Sequence, residues 1–302
     1  MVVWIKRVIL VAALGLLCAL ANQNLSWWPT SRQTFLERLD RATRLGTDWM
    51  VTSPEGGNTA LLYMIADMAD LSGDRRLRNI VASFLADPRI PSDDVWRRML
   101  NPVAKVRAPS RQQLDAFQDY QRWFLYAVAR PDVEITESER AAMFAPDRFM
   151  WGSRTHQLLA LILYRSRTGN SLQVNDLINH LCEKIALEAH WDVRVTDLYL
   201  QRIAFIMAAG RPDLIKRRWV ERAITSQTPT GGWVASWYGW GPGLIAFSVQ
   251  RTVPNSHTTV QGAWILYMLK YRYPDWIDGT MTDGRPHIVG LGDRIEPRVH
   301  LG

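Results

Sequence analysis

Apolar residues recur at helical spacing along most of this 302-residue chain, and the runs that carry them come in two alternating kinds. The first kind has one apolar face. Residues 31–51 place Phe35, Leu36, Leu39, Ala42 and Leu45 along one side with charges elsewhere, and Ser31 stands where a helix cap belongs. Residues 75–86, 136–144, 172–189 and 214–226 read the same way. The second kind is apolar nearly all round: 58–71, 114–129 after its first turn, 154–164, 195–209 and 257–269. A helix of that kind has to be covered on every side. The alternation therefore predicts hairpins in which a polar-faced outer helix covers a buried inner one. Strand signals are scarce. The expected fold class is all-α, an α/α toroid whose hairpins, about five to six of them, form an incomplete or closed ring; a plain helical bundle is the simpler alternative. One domain over 22–280 follows, with an irregular tail over 281–302.

The first residues depart from this pattern. Lys6 and Arg7 precede the uncharged run 8–21, and Ala19 and Ala21 supply the small residues that signal peptidase takes. A signal peptide over 1–21 is expected, and with it a periplasmic or secreted location. Because the run is short of the roughly 20 residues that a spanning helix needs, a retained membrane anchor is the alternative. Membrane association then comes through the N-terminal segment. Gly15-Leu16-Leu17 ahead of Cys18 is a poor lipidation signal.

Composition removes several function classes. The formal charge is +7, and loss of Lys6 and Arg7 takes two charges off and leaves +5. That excess is spread along the chain, with no basic helix face, so no nucleic-acid partner is expected. It suits an anionic glycan or the envelope surface. Cys18 and Cys182 are the only cysteines, which leaves no disulfide framework and no cysteine-based zinc site. No H-E-x-x-H spacing occurs, and neither a metal nor a cofactor is expected.

A second regularity points to a site. Each inner helix opens on a polar cluster before turning apolar: Asn58-Thr59, 118–122 with Tyr120, Arg154-Thr155-His156-Gln157, Thr196-Asp197 with Tyr199, and Ser256-His257-Thr258-Thr259. In a ring the inner helices run parallel, so these N-termini meet at one end. Free N–H groups and positive dipole ends there favour anionic or hydroxyl-rich ligands. Capping accounts for Thr155, Thr196 and Ser256. It does not ask for His156, His257, Tyr120 or Tyr199.

Residues 227–233 read QTPTGGW, the Q-x3-G-x-W core of the QW repeat. The segment SHTTVQGAWILYML follows some thirty residues on. The stretch from Trp219 to Leu269 thus resembles the QW turn and next inner helix of terpenoid cyclase and prenyltransferase toroids. The resemblance implies the fold more than any chemistry. Arg222-Ala223 stand where an aromatic and an aliphatic residue belong. The Asp-rich acid motif of the cyclases is absent, and Cys182 has no context like that of the zinc-binding prenyltransferases. Terpenoid chemistry is kept as an alternative only. Gln227 and Trp233 also have a structural reading, as a staple across the turn.

The leading expectation is an exported glycan-processing enzyme of polysaccharide lyase or glycoside hydrolase type. A non-catalytic binding or assembly protein for glycan or lipid-linked intermediates is the other alternative. His156, Asp197, Tyr199 and His257 are the catalytic candidates. A neutral imidazole takes a proton near pH 7, a carboxylate orients it and a tyrosine serves as acid. Asn58, Tyr120, Arg154, Trp191, Asp192, Trp233, Trp237 and Trp240 are candidates for substrate binding. Arginine and asparagine neutralise a uronate carboxylate, and flat indoles suit sugar faces. A hydrolase needs two carboxylates across the scissile bond, and Asp119, Asp192 and Asp197 are the partners on offer. Trp233, Trp237 and Trp240 crowd into the glycine-rich stretch 231–243, which reads as a rim or lid.

Overall fold

The computed structural model describes residues 2–25, 31–53, 57–146, 153–195, 197–235, 239–240, 247–248 and 253–282. Among them the regular structure is helical, apart from an antiparallel pairing of Gly239–Trp240 with Phe247–Ser248. The α-helices are α1 (Val2–Asn24), α2 (Arg32–Thr52), α3 (Thr59–Ser72), α4 (Arg75–Ala86), α5 (Arg97–Leu100), α6 (Arg111–Asp115) and α7 (Asp119–Ala129). They continue as α8 (Glu137–Met143), α9 (Ser153–Thr168), α10 (Leu172–Trp191), α11 (Asp197–Ala208), α12 (Arg217–Thr225), α13 (Ser256–Tyr267) and α14 (Pro274–Thr282).

Local chemistry sets most boundaries. The side chains of Ser31, Asn58 and Asp74 accept backbone N–H groups at the starts of α2, α3 and α4. Gly73, with φ of 73°, ends α3 in the left-handed conformation. The run 114–129 is not one helix. Ser110 with Gln113 forms one capping box and Gln118 with Gln121 a second, so the chain stops after α6 and restarts at α7.

The buried helices form a sequence of neighbours. α7 packs on α9, α9 on α11, α11 on α13 and α13 on α3, while the short α5 bridges α3 to α7. Outside them, α4 covers α3, α10 covers α9 and α11, and α2 and α12 cover α13. The inner set is buried almost without break, through Trp123 to Ala129, Leu158 to Leu163, Tyr199 to Met207 and Thr258 to Leu269. Cys182 lies in this core, and burial pushes its thiol up to about 12, as befits an inert packing residue.

An ion-pair cluster ties α6, α7 and α8 together on the outer side. Glu139 accepts from Thr136 N at 2.7 Å in the α8 capping box and pairs with Arg111 at 3.0 Å and Arg122 at 2.7 Å. The hydrogen bond from Arg111, helped by Thr136 and opposed by burial, lowers its pKa from 4.5 to about 2. A depressed carboxylate stabilises the fold fully above its unfolded pKa and loses that contribution as pH falls through the folded one. Glu139→Gln is therefore expected to flatten the decline in urea stability between pH 4.5 and about 2 relative to the parent chain. An unchanged slope in that window contradicts the assignment.

Candidate functional site

The first turns of the inner helices line one cavity of about 370 Å³. Asn58 and Thr59 come from the start of α3, Tyr120 and Gln121 from α7, His156 from α9, Gln201 from α11, and His257 and Gln261 from α13. Leu61, Met64, Trp96, Phe124, Leu159 and Phe205 add apolar wall. The mixture of a few polar groups over an apolar lining is typical of small-molecule sites.

On one side of the cavity stands a histidine–carboxylate pair. His257 Nδ1 lies 2.8 Å from Asp197 Oδ1, and both side chains are part-exposed. Asp197 is held in turn. Its backbone N–H donates to Ala235 O at 3.0 Å, and its Oδ1 accepts from Thr258 Oγ1 at 3.3 Å. The Gln261 amide is satisfied with its nitrogen toward Asp197, 3.2 Å from both the main-chain O and Oδ1. A carboxylate on Nδ1 selects the tautomer with the proton there, which makes Nε2 the basic nitrogen. Across the cavity, the Tyr120 and His156 rings are in contact, with centroids 4.2 Å apart and planes tilted by 32°. Thr155 Oγ1, wholly buried, donates to Gln201 Oε1 at 2.5 Å and joins the first turns of α9 and α11.

Several expected site residues do other work. Tyr199 is fully buried, and its hydroxyl donates to Trp219 O at 3.3 Å. Burial raises its pKa, and it cannot reach the cavity as an acid. Asp192 and Arg154 belong to an ion-pair chain between α9, α10 and α11. Arg154 bonds Glu188, Arg202 bonds Glu188 at 3.2 Å and Asp192 at 2.7 Å, and Arg194 bonds Asp192 at 2.8 Å. Burial alone raises the Asp192 pKa, but its bonds to Arg194 and Arg202 outweigh burial and hold it below the ordinary value. Arg202 is 1% exposed, so this chain compensates a buried charge and offers nothing to a ligand.

Trp233 is also buried, and its Nε1 donates to Ala223 O at 2.8 Å. The QW-like turn acts as a clamp. Gln227 Nε2 donates to Ala42 O at 2.9 Å and to Gly231 O at 2.8 Å. The indole lies between Gly46 and Gly262, where an added Cβ falls 3.2 and 2.7 Å from it. Trp191 is exposed but does not line the cavity. Trp237 and the tail 283–302 lie outside the described residues, and Trp240 is described in its backbone alone.

Gln201 and Gln261 were not singled out from sequence. Each stands one helical turn after a residue that was, Asp197 and His257, as a polar residue inside an apolar run. That spacing was the available signal. Trp96, on the short α5 connection, carried none. Asp119 pairs with Arg122 at 2.5 Å on the surface, and among the described residues no carboxylate lines the cavity itself; Asp197 reaches it through His257. No group of three or more potential metal ligands occurs among the described residues either. No family model, no curated protein and no solved structure matches this chain.

Proposed function

We propose that the chain is a glycan-processing enzyme of lyase type, built on a closed α/α toroid and working outside the cytoplasm. The toroid is supported by the order of helix neighbours, which returns from α13 to α3. The observation that carries the enzyme reading is the His257–Asp197 pair at 2.8 Å beside a cavity that also holds Tyr120 and His156.

In this reading His257 Nε2 takes the proton next to a uronate carboxylate. The electron pair forms the carbon–carbon double bond, the C–O bond to the neighbouring sugar breaks, and Tyr120 protonates the leaving oxygen. The amides of Asn58 and Gln121, with the N-termini of α3 and α13, meet the substrate carboxylate. His156, packed against the Tyr120 ring, positions the phenol. A lyase needs one base and one acid, which this cavity offers, whereas glycoside hydrolysis needs two carboxylates.

The apolar lining of Trp96, Phe124 and Phe205 favours a second reading, an enzyme acting on a terpenoid or other lipid. The test is to incubate the full chain with acidic glycans, neutral glycans and polyprenyl lipids. Ultraviolet absorbance is followed for a new conjugated unsaturated uronate, and products are separated by mass. Appearance of that chromophore with an acidic glycan is the expected result. Turnover of lipid alone moves the function to the second reading, and binding without product leaves a carrier.

A further inference from the structure

The last turn of α1 differs from the rest of it. The stretch Trp4–Asn24 is long and apolar enough to cross a membrane, and none of its hydrophobic window is buried against the domain. Asn22, Gln23 and Asn24 then dock into the domain between the end of α10 and the start of α12. Gln23, wholly buried, donates to Ala189 O at 2.9 Å. Asn24 donates to His190 O at 2.9 Å and accepts from Lys216 Nζ at 3.0 Å and Trp219 Nε1 at 3.1 Å. Arg218 bonds Asn22 O and Oδ1, both at 2.8 Å. A helix fixed in this way is no loose tether. It holds the end of α10 beside the end of the apolar stretch of α1.

What α10 shows there is apolar. Leu187 and Trp191, one turn apart on the same face, are 57% and 59% exposed, and Val193 follows at 36%. Single exposed apolar residues are ordinary on a surface; three together beside the end of a spanning helix are not. The charged groups around them are cationic on balance. Arg218 and Lys216 face the α1 end, and Arg222 donates to Val193 O. The nearby carboxylates Glu188, Asp192 and Glu221 are each already paired with arginine. An indole and aliphatic side chains bordered by arginine and lysine match the interface of an anionic phospholipid bilayer.

We propose that α1 is retained as a membrane anchor and that Leu187, Trp191 and Val193 form a foot seated in the headgroup layer of the leaflet from which α1 emerges. Val193 of the foot lies four residues ahead of Asp197 in the chain, so the bilayer surface and the end of the domain bearing the cavity are neighbours. The proposal concerns membrane seating and stands apart from the reaction assigned to the cavity.

The test uses the full chain with Cys18→Ser, reconstituted in nanodiscs containing phosphatidylglycerol. Nitroxide labels are attached, one at a time, to Leu14→Cys, Leu187→Cys, Trp191→Cys, Val193→Cys and the distant, 83% exposed Leu172→Cys. Paramagnetic accessibility to oxygen and to a water-soluble nickel complex reports depth. The expected pattern is a deep label at 14, interfacial labels at 187, 191 and 193, and a water-exposed label at 172. A deep label at 14 with water-like values at all three foot positions overturns the foot. A chain recovered without its first 21 residues, or a water-exposed label at 14, overturns the anchor and the foot together. Activity on soluble substrate is not read in this experiment, so its failure does not bear on the lyase reading.

Discussion

Replacing His257 with alanine is expected to lower kcat/KM on the responsive substrate by about 10² to 10⁴, the usual worth of a positioned general base. Asp197→Asn is expected to fall in the same direction, because the amide no longer fixes the proton on Nδ1 and Nε2 is no longer the reliably basic nitrogen. Neither change should cost much stability, since both side chains are part-exposed. Tyr199→Phe gives the contrast. It removes a buried hydroxyl from its bond to Trp219 O, at about 1 kcal/mol of stability, and is expected to leave turnover intact. Steady-state kinetics on the three variants, with circular dichroism to check folding, decide the point. Full activity in His257→Ala removes the base from this site.

The second large effect is structural. Trp233→Ala is expected to lower the unfolding free energy by about 3–5 kcal/mol. The indole fills the space between Gly46 of α2 and Gly262 of α13, and its N–H satisfies Ala223 O. Its removal leaves a cavity and takes one of two donors from Ala223 O, which keeps its bond from Ser226 Oγ at 2.8 Å. Gly262→Ala attacks the same contact from the other side, since its Cβ sits 2.7 Å from Trp233 Cδ2 and the indole has no free direction in which to move. Denaturant titration measures both. A loss below 1 kcal/mol for Trp233→Ala would show that the clamp contributes less than its burial suggests.

The helices were legible because the hydrophobic period is strong and the caps are chemically explicit. Ser31, Asn58, Asp74 and Thr136 all cap where their side chains announce it. The break between α6 and α7 was missed because two capping boxes built on glutamine interrupt a continuous apolar run. Within the cavity, His156, His257, Asn58 and Tyr120 were marked by polarity at the head of an apolar helix. The same criterion also picked out Arg154 and Tyr199, and there it failed; Asp192, read as a binding carboxylate, failed with them. Polarity at a helix start does not say which way a side chain points: Arg154 turns to Glu188 of α10 and Tyr199 to Trp219 O of α12, while Asp192, at the end of α10, turns to Arg202 of α11. Trp233 was read both as ligand platform and as staple. Only its neighbours, two glycines more than two hundred residues apart in sequence, separate the two roles.

The clamp around Trp233 has a consequence for the order in which the chain acquires its form. α2 is among the earliest helices to be synthesised, yet the turn that grips Ala42 and Gly46 lies beyond residue 226, and the opposing glycine is at 262. Hairpins in the middle of the chain assemble from near neighbours, whereas this last seam waits for both extremities and bears the entropy of closing a very long loop. A chain halted before residue 262 should therefore keep its helices while leaving the inward side of α2 uncovered and prone to self-association.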